Sequence, residues 1–182
     1  MLKDFKGGKT AHGAFYDLNI VSREPKIRQV CFERMVESLV IADSLGMKEV
    51  VFHTNYKAAA NDKDWQRRWL GMQVDYWGRI AEIAAEHGQV CLLENTTEPS
   101  PDYLFYIADQ LRHDSIKICL DTGHTRCFTN TNIGLGDWAA GLGDYLACIH
   151  LHTNRGTKDE HLAFNHAEGV LDFAPLDRKS VV

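Results

Sequence analysis

Five short apolar runs, KTAHGAF, KEVVFHTN, QVCLLENT, IKICLDTGH and LACIHLHTN, recur along the chain, and each breaks off at a polar residue. Most are too short and too rich in β-formers to be helices, so they read as buried strands. Between them the spacing turns helical. In EPKIRQVCFERMVESLVIADSLG, Ile27, Val30, Cys31, Leu39 and Val40 repeat at helical intervals, with Pro25 suited to a first turn and Gly46 to a stop. From Trp65 to His87 a stripe of Trp69, Met72, Trp77, Ile80 and Ile83 runs up to Gly88. The aromatic set Trp65, Trp69, Tyr76 and Trp77 at this spacing reads as core. Ser100 and Pro101 open a third helix carrying Leu104, Ile107 and Leu111, and GLGDWAAGLGD offers a short fourth. Strand and helix alternate, which predicts an α/β fold of parallel strands joined by right-handed crossovers, with both sheet faces covered.

Where the polar residues fall decides between an open sheet and a barrel. His12, His53, Glu94, Asp121 and His150 stand at the carboxyl ends of successive expected strands, the rim on which TIM barrels carry their chemistry. A dinucleotide-binding sheet would need a G-x-G-x-x-G turn directly after a strand; none of these turns contains one, and no strand runs directly into GLGDWAAG. The expected fold is therefore a (β/α)8 TIM barrel. Eight units take roughly 250 residues, so 182 residues with five visible strands leave the ring incomplete. One partial barrel domain is expected over residues 1–176. The closing DRKSVV, residues 177–182, departs from the helix expected there and reads as a non-native, adapter-like tail.

Composition narrows the function. A net charge of -5 gives no basic field to hold a polyanion, so nucleic acid is not the expected partner. No apolar run reaches the roughly 20 residues of a membrane span, and MLKDFKGGKT has no signal-peptide core. A cytoplasmic protein without a membrane partner is expected. Cys31, Cys91, Cys119, Cys127 and Cys148 are odd in number and widely spaced, which reads as reduced core thiols.

His, Asp and Glu are the ligands of zinc and related divalent ions, and sites for such ions need several of them to converge. The five rim residues meet that need. His124, in Asp121-Thr-Gly-His124, adds a donor one turn past its strand, and Asp159 and His161 add two more from an extended loop, making eight candidate ligands. His150 and His152 share a strand face, and His150 is taken as the deeper. Glu94 and Asp121 close otherwise apolar strands, where a carboxylate is costly without a cation or hydrogen bonds. RGTKDEH fits a solvated loop as well as a site. His87 and His113 read as helix-end residues, and His166 and Glu168 as solvated.

The series AHGAFYDLN, VVFHTN, LLENT, CLDTGH, HLHTNRGTKDEHL and EGVLDF resembles the xylose-isomerase-like TIM barrels, a superfamily that includes sugar-phosphate isomerases, epimerases and endonuclease IV. The resemblance spans nearly the whole chain. It implies one divalent ion, Zn, Mn or Mg, held by Glu94, Asp121 and His150, while the last Glu of the isomerase set has no counterpart. The endonuclease IV branch implies further ions on His12, His53, His124, Asp159 and His161. Measured against the family, the first strand-helix unit before MLKDF and the last strand after VLDFAPL are missing, and raw sheet edges favour association into a homo-oligomer. The expected activity is metal-dependent isomerisation or epimerisation of a sugar or sugar phosphate, with Glu94 as base and His152 and Asn154 as substrate contacts. The alternatives are an endonuclease IV-like multinuclear zinc phosphodiesterase and an inactive, binding-only barrel fragment.

Overall fold

The structure, a computed structural model, describes residues 5–56, 63–128 and 132–177. The expected tail lies outside them except for Asp177, which ends the last short helix.

All five apolar runs are strands: β1 (Thr10–His12), β2 (Glu49–His53), β3 (Val90–Glu94), β4 (Ile116–Asp121) and β5 (Leu146–His150). They pair in chain order, each parallel to the next, in one five-stranded sheet. Crossovers of one hand that always step in the same direction put every helix on the same side. The second face is covered by its own lining residues, not by helices. One large cluster joins Val50, Phe52, Leu93, Ile118 and Leu120 to the helices, whereas the other face holds only strand residues, Val51, Leu92 and Cys119, with Val90 and Cys148 against them. A sheet curled around its own apolar lining and jacketed by helices is an incomplete TIM barrel.

The helices begin and end where their terminal residues allow. Helix α1 (Pro25–Ser44) has Pro at its first position and the Glu24 side chain accepting from Lys26 N, and Gly46 leaves it at φ 71°. Helices α2 (Lys63–Glu86), α3 (Asp102–Leu111) and α5 (Leu135–Leu142) match the expected segments, and α4 (His124–Cys127) and α6 (Ala174–Asp177) are single turns. Gly88 after α2 and Gly143 after α5 take φ of 59° and 56°, where a side chain would be strained.

The buried stripe of α1 differs from the expected one. Cys31, Met35, Leu39 and Ala42 face the sheet, whereas Ile27, Val30 and Val40 are about half exposed. Apolar residues surround this helix, so periodicity alone does not single out its inner face. Helix α2 conforms better, with Trp69, Tyr76, Trp77 and Ile80 buried. Trp77 is fully enclosed against Phe52, and its indole N–H donates to Gln73 Oε1 at 2.7 Å. Gln73 Nε2 in turn donates to the Thr54 carbonyl at 2.8 Å, fixing the chain one residue past His53.

At the foot of the sheet, Asp43, Lys48 and His87 tie α1, β2 and the end of α2 together. Hydrogen bonds from His87 and Lys48 hold the Asp43 carboxyl below its ordinary value. All five cysteines are free, but only Cys31, Cys91 and Cys119 are buried, while Cys127 and Cys148 are partly exposed. Among the described residues, no helix is long and apolar enough to cross a membrane.

Candidate metal centre

Side chains in register across parallel strands point to the same side of the sheet. His53 pairs with Glu94, Glu94 with Cys119, Cys119 with Cys148, and Asp121 with His150. An irregularity at Ile118/Cys119 moves the register from Ile118↔Leu146 to Cys119↔Cys148, leaving Ala147 as the extra residue in β5. That single residue turns Cys148 and His150 inward. The lining thus carries Val51 and Leu92 with His12 and Lys117 in register beside them, and is ionisable above that level.

Glu94 is the hub. It is 2% exposed, with Oε1 2.7 Å from His150 Nδ1 and Oε2 3.2 Å from His12 Nε2 and 3.0 Å from His53 Nε2. Burial pushes its carboxyl up, but the hydrogen bonds to His12, His150 and His53 outweigh this and hold it far below the usual carboxylate range. The same bond carries His150 above its ordinary value. Burial pulls His12 down, yet Glu94 and the Gly13 carbonyl leave it raised.

Asp121, 1% exposed, faces His152, whose Nε2 lies 2.8 and 2.9 Å from its two oxygens. Burial lowers His152, and Asp121 more than restores it. The His152 side chain is 9% exposed and that of His150 36%, so the deeper of the two is His152, contrary to expectation. The order reverses because β5 ends at His150 and the chain then turns under the β4 loop, with Thr122 Oγ1 donating to the His152 carbonyl at 2.6 Å.

Asp159 Oδ2 lies 3.3 Å from His124 Nε2 and 3.1 Å from His161 Nε2, and the His161 ring stacks on His152 at 3.9 Å. The charged run RGTKDEH is therefore organised. Thr153 and Leu162 exchange two backbone hydrogen bonds at its ends, and Arg155 pairs with Glu160 within it and with Glu168 beyond it. His166 and Glu168 are exposed, as expected of solvated residues, and His87 and His113 engage Asp43 and the Ser115 N–H at helix ends.

Three residues unnoticed in the sequence support this arrangement. Asn95 accepts from Asp121 N at 2.7 Å and donates to the Asp121 carbonyl at 2.9 Å, and its own carbonyl lies 2.8 Å from His124 Nδ1. Glu98, 1% exposed, accepts from the Thr54 hydroxyl and from Thr96 N; burial pushes its carboxyl up. Asn55, at φ 56°, keeps a buried Oδ1 without a hydrogen-bond partner beside the cleft described below. For Asn95 and Glu98 the polar run NTTE directly after β3 was the available signal. Asn154, read as a substrate contact, is fully buried with both ends of its amide engaged, by the Gly123 carbonyl and Gly156 N, each at 2.8 Å. It holds two rim loops together.

Gly123 has a steric reason to be glycine. A Cβ there would meet the His152 ring at 2.1 Å. Gly123→Ala is expected to swing His152 off Asp121 and to weaken divalent-ion binding by about 10–100-fold, the usual cost of losing a group that orients a ligand. Isothermal titration with zinc reads this directly, and unchanged affinity would remove His152 from the site.

The donors form three adjoining groups, His12/His53/Glu94, Glu94/Asp121/His150 and His124/Asp159/His161, each with ligand atoms within 4.8 Å of one another. Imidazole nitrogen and carboxylate oxygen suit Zn, Mn or Mg. Asp159 Oδ1 is buried without a hydrogen-bond partner, a costly state that a cation would relieve. The residues fit a divalent ion. Beside them opens a cleft of about 450 Å³ with Phe15, Tyr56 and Phe128 alongside His53, His124 and Asp159, a size suited to a small molecule.

A family model described as xylose isomerase-like TIM barrel matches residues 2–179. The chain belongs to this family. A relative, the uncharacterized protein MJ1614 of Methanocaldococcus jannaschii, is 30% identical over 168 residues, covering 90% of this chain and 62% of its own length. The chain thus spans about three fifths of that relative. Among solved structures of the fold, the TTHB071 protein from Thermus thermophilus, soaked with ZnCl2, superposes with a TM-score of 0.81 at 27% identity, covering 94% of this chain and 67% of its own. A D-tagatose 3-epimerase-like protein gives the same TM-score at 23% identity, covering 97% of this chain and 67% of its own.

Proposed function

We propose that this chain carries the site of a metal-dependent sugar or sugar-phosphate isomerase or epimerase. One observation carries the reading: Glu94 and Asp121, 2% and 1% exposed, offer oxygens within 4.8 Å of each other and of a His150 nitrogen at the strand ends. Two buried carboxylates so close together call for a cation between them. Asp121 and His150 would hold a divalent ion, which supplies polarisation of a carbonyl. Glu94, an ionised carboxylate beside that ion's place, would take the proton from the neighbouring carbon, giving up bonds to the imidazoles around it as it does so. Asn95 and His152 keep Asp121 aimed at the rim. Asn55 Oδ1, unpartnered beside the cleft, accepts from a substrate hydroxyl. The net charge of -5 favours a small polar substrate over nucleic acid. Five free thiols support a reducing, cytoplasmic setting.

A second reading is a multinuclear zinc phosphodiesterase of the endonuclease IV kind. It is favoured by the two donor groups that flank the first, His12/His53/Glu94 and His124/Asp159/His161. Elemental analysis of untagged protein purified without chelator separates the two. The isomerase reading expects a single ion per chain that survives changing His12, His53 and His161 to Ala. More than one ion, falling sharply in the triple variant, would replace it with the phosphodiesterase reading, and no bound metal would overturn both.

A further inference from the structure

Below the rim the barrel-facing side holds two thiols that the proposed activity does not use, next to His150, which it does. Cys119 on β4 and Cys148 on β5 stand directly in register, so both thiols project inward from neighbouring strands. Their sulfurs and a His150 nitrogen all lie within 4.8 Å of one another. Two thiols and an imidazole form a donor set that zinc and its softer relatives take readily, with metal–sulfur bonds of about 2.3 Å. Sulfurs this close need only small movements to share one ion. The surroundings favour ligation over plain packing. Val51 and Leu92 pack beside them, His12 and Lys117 stand in register with those two residues, and Cys148 is partly exposed, giving an ion a way in.

We propose that Cys119, Cys148 and His150 form a second, thiolate-rich site for a thiophilic divalent cation, beneath the carboxylate-lined rim. Two thiolates neutralise such an ion, whereas the rim set offers it oxygen and imidazole. The two sites share His150, which also belongs to the Glu94/Asp121/His150 group. An ion on the thiolates draws His150 away from the rim, so thiophilic cations antagonise the rim ion. The register irregularity before Cys119 is what creates this site, because without it Ala147 would stand opposite Cys119.

Cadmium chloride titrated into the reduced full chain tests the inference, read by the ultraviolet charge-transfer absorbance that only thiolate ligands give. The expected result is a band that saturates at one equivalent, is lost in both Cys148→Ser and Cys119→Ser, and persists in His53→Ala. Should either serine variant misfold by circular dichroism, alkylation of Cys148 in the unaltered chain decides instead. Cadmium is expected to slow it by at least about tenfold, because a metal-held thiolate is no longer a free nucleophile. A chain without the band, a band that survives replacement of both cysteines, or alkylation that cadmium leaves unchanged overturns the proposal. Rim metal retained in Cys148→Ser keeps its failure distinct from that of the isomerase reading.

Discussion

Glu94→Gln is expected to lower turnover of a sugar substrate by about 10²–10⁴-fold, the usual contribution of a positioned proton carrier. The substitution keeps the shape of the side chain and removes its charge. In the native site both oxygens face imidazoles, His150 on one side and His12 and His53 on the other. A carboxamide can be accommodated there by a change of tautomer, so the fold should survive while the proposed base is lost. Exchange of the carbon-bound proton with deuterated solvent isolates that step from binding and should fall in parallel with turnover. Exchange at the native rate in Glu94→Gln would take the proton-carrying role from this residue and leave it as a ligand alone.

Trp77→Ala is expected to cost about 3–5 kcal/mol of unfolding free energy, the range for emptying a large aromatic site in a packed core. Trp77 is fully enclosed between Phe52 on the sheet and its own helix. Its loss also breaks the relay through Gln73 to the Thr54 carbonyl. Trp77→Phe separates the two effects. It keeps most of the apolar volume but strands Gln73 Oε1, at about 1–3 kcal/mol for a buried acceptor left unpaired. Urea unfolding of the three proteins checks the order, and a loss below about 1 kcal/mol for the alanine variant would mean that the helix face repacks around the gap. The relay ends one residue past His53, so metal affinity is expected to follow the same order.

Much of this molecule is legible in its sequence because parallel strands buried on both faces must be apolar throughout and can turn polar only where they leave the sheet. That rule places the five strands and identifies His12, His53, Glu94, Asp121 and His150 as rim residues. It gives no help with α1, where Ile27, Val30 and Val40 are as apolar as the residues that are buried. Nor does it reveal the extra residue at Ala147, since a register shift leaves no mark on a run that is apolar on both sides. The depth of His152 and the enclosed amide of Asn154 come from loops folding back over the strand ends. Those contacts join residues distant in sequence, and composition does not encode them. Asn95 and Glu98 were hidden for another reason: a polar loop after a strand looks the same whether it meets water or another loop.

Strand order that follows chain order has a further consequence for how the molecule holds together. Each strand finds its neighbour through a single crossover, so pairing spreads by local steps and no early contact joins the first strand to the last. Such a chain is open to opening piecemeal from its edges. The donor ring works against that. His12 comes from the first strand and His150 from the last, and both converge on Glu94 in the middle one. An ion held by Glu94, Asp121 and His150 would by mass action stabilise only states in which β3, β4 and β5 are in place, and the bonds of His12 and His53 to Glu94 extend that hold to the first two strands. Occupancy of the proposed rim site would thereby link a row of separable units into a more cooperative body.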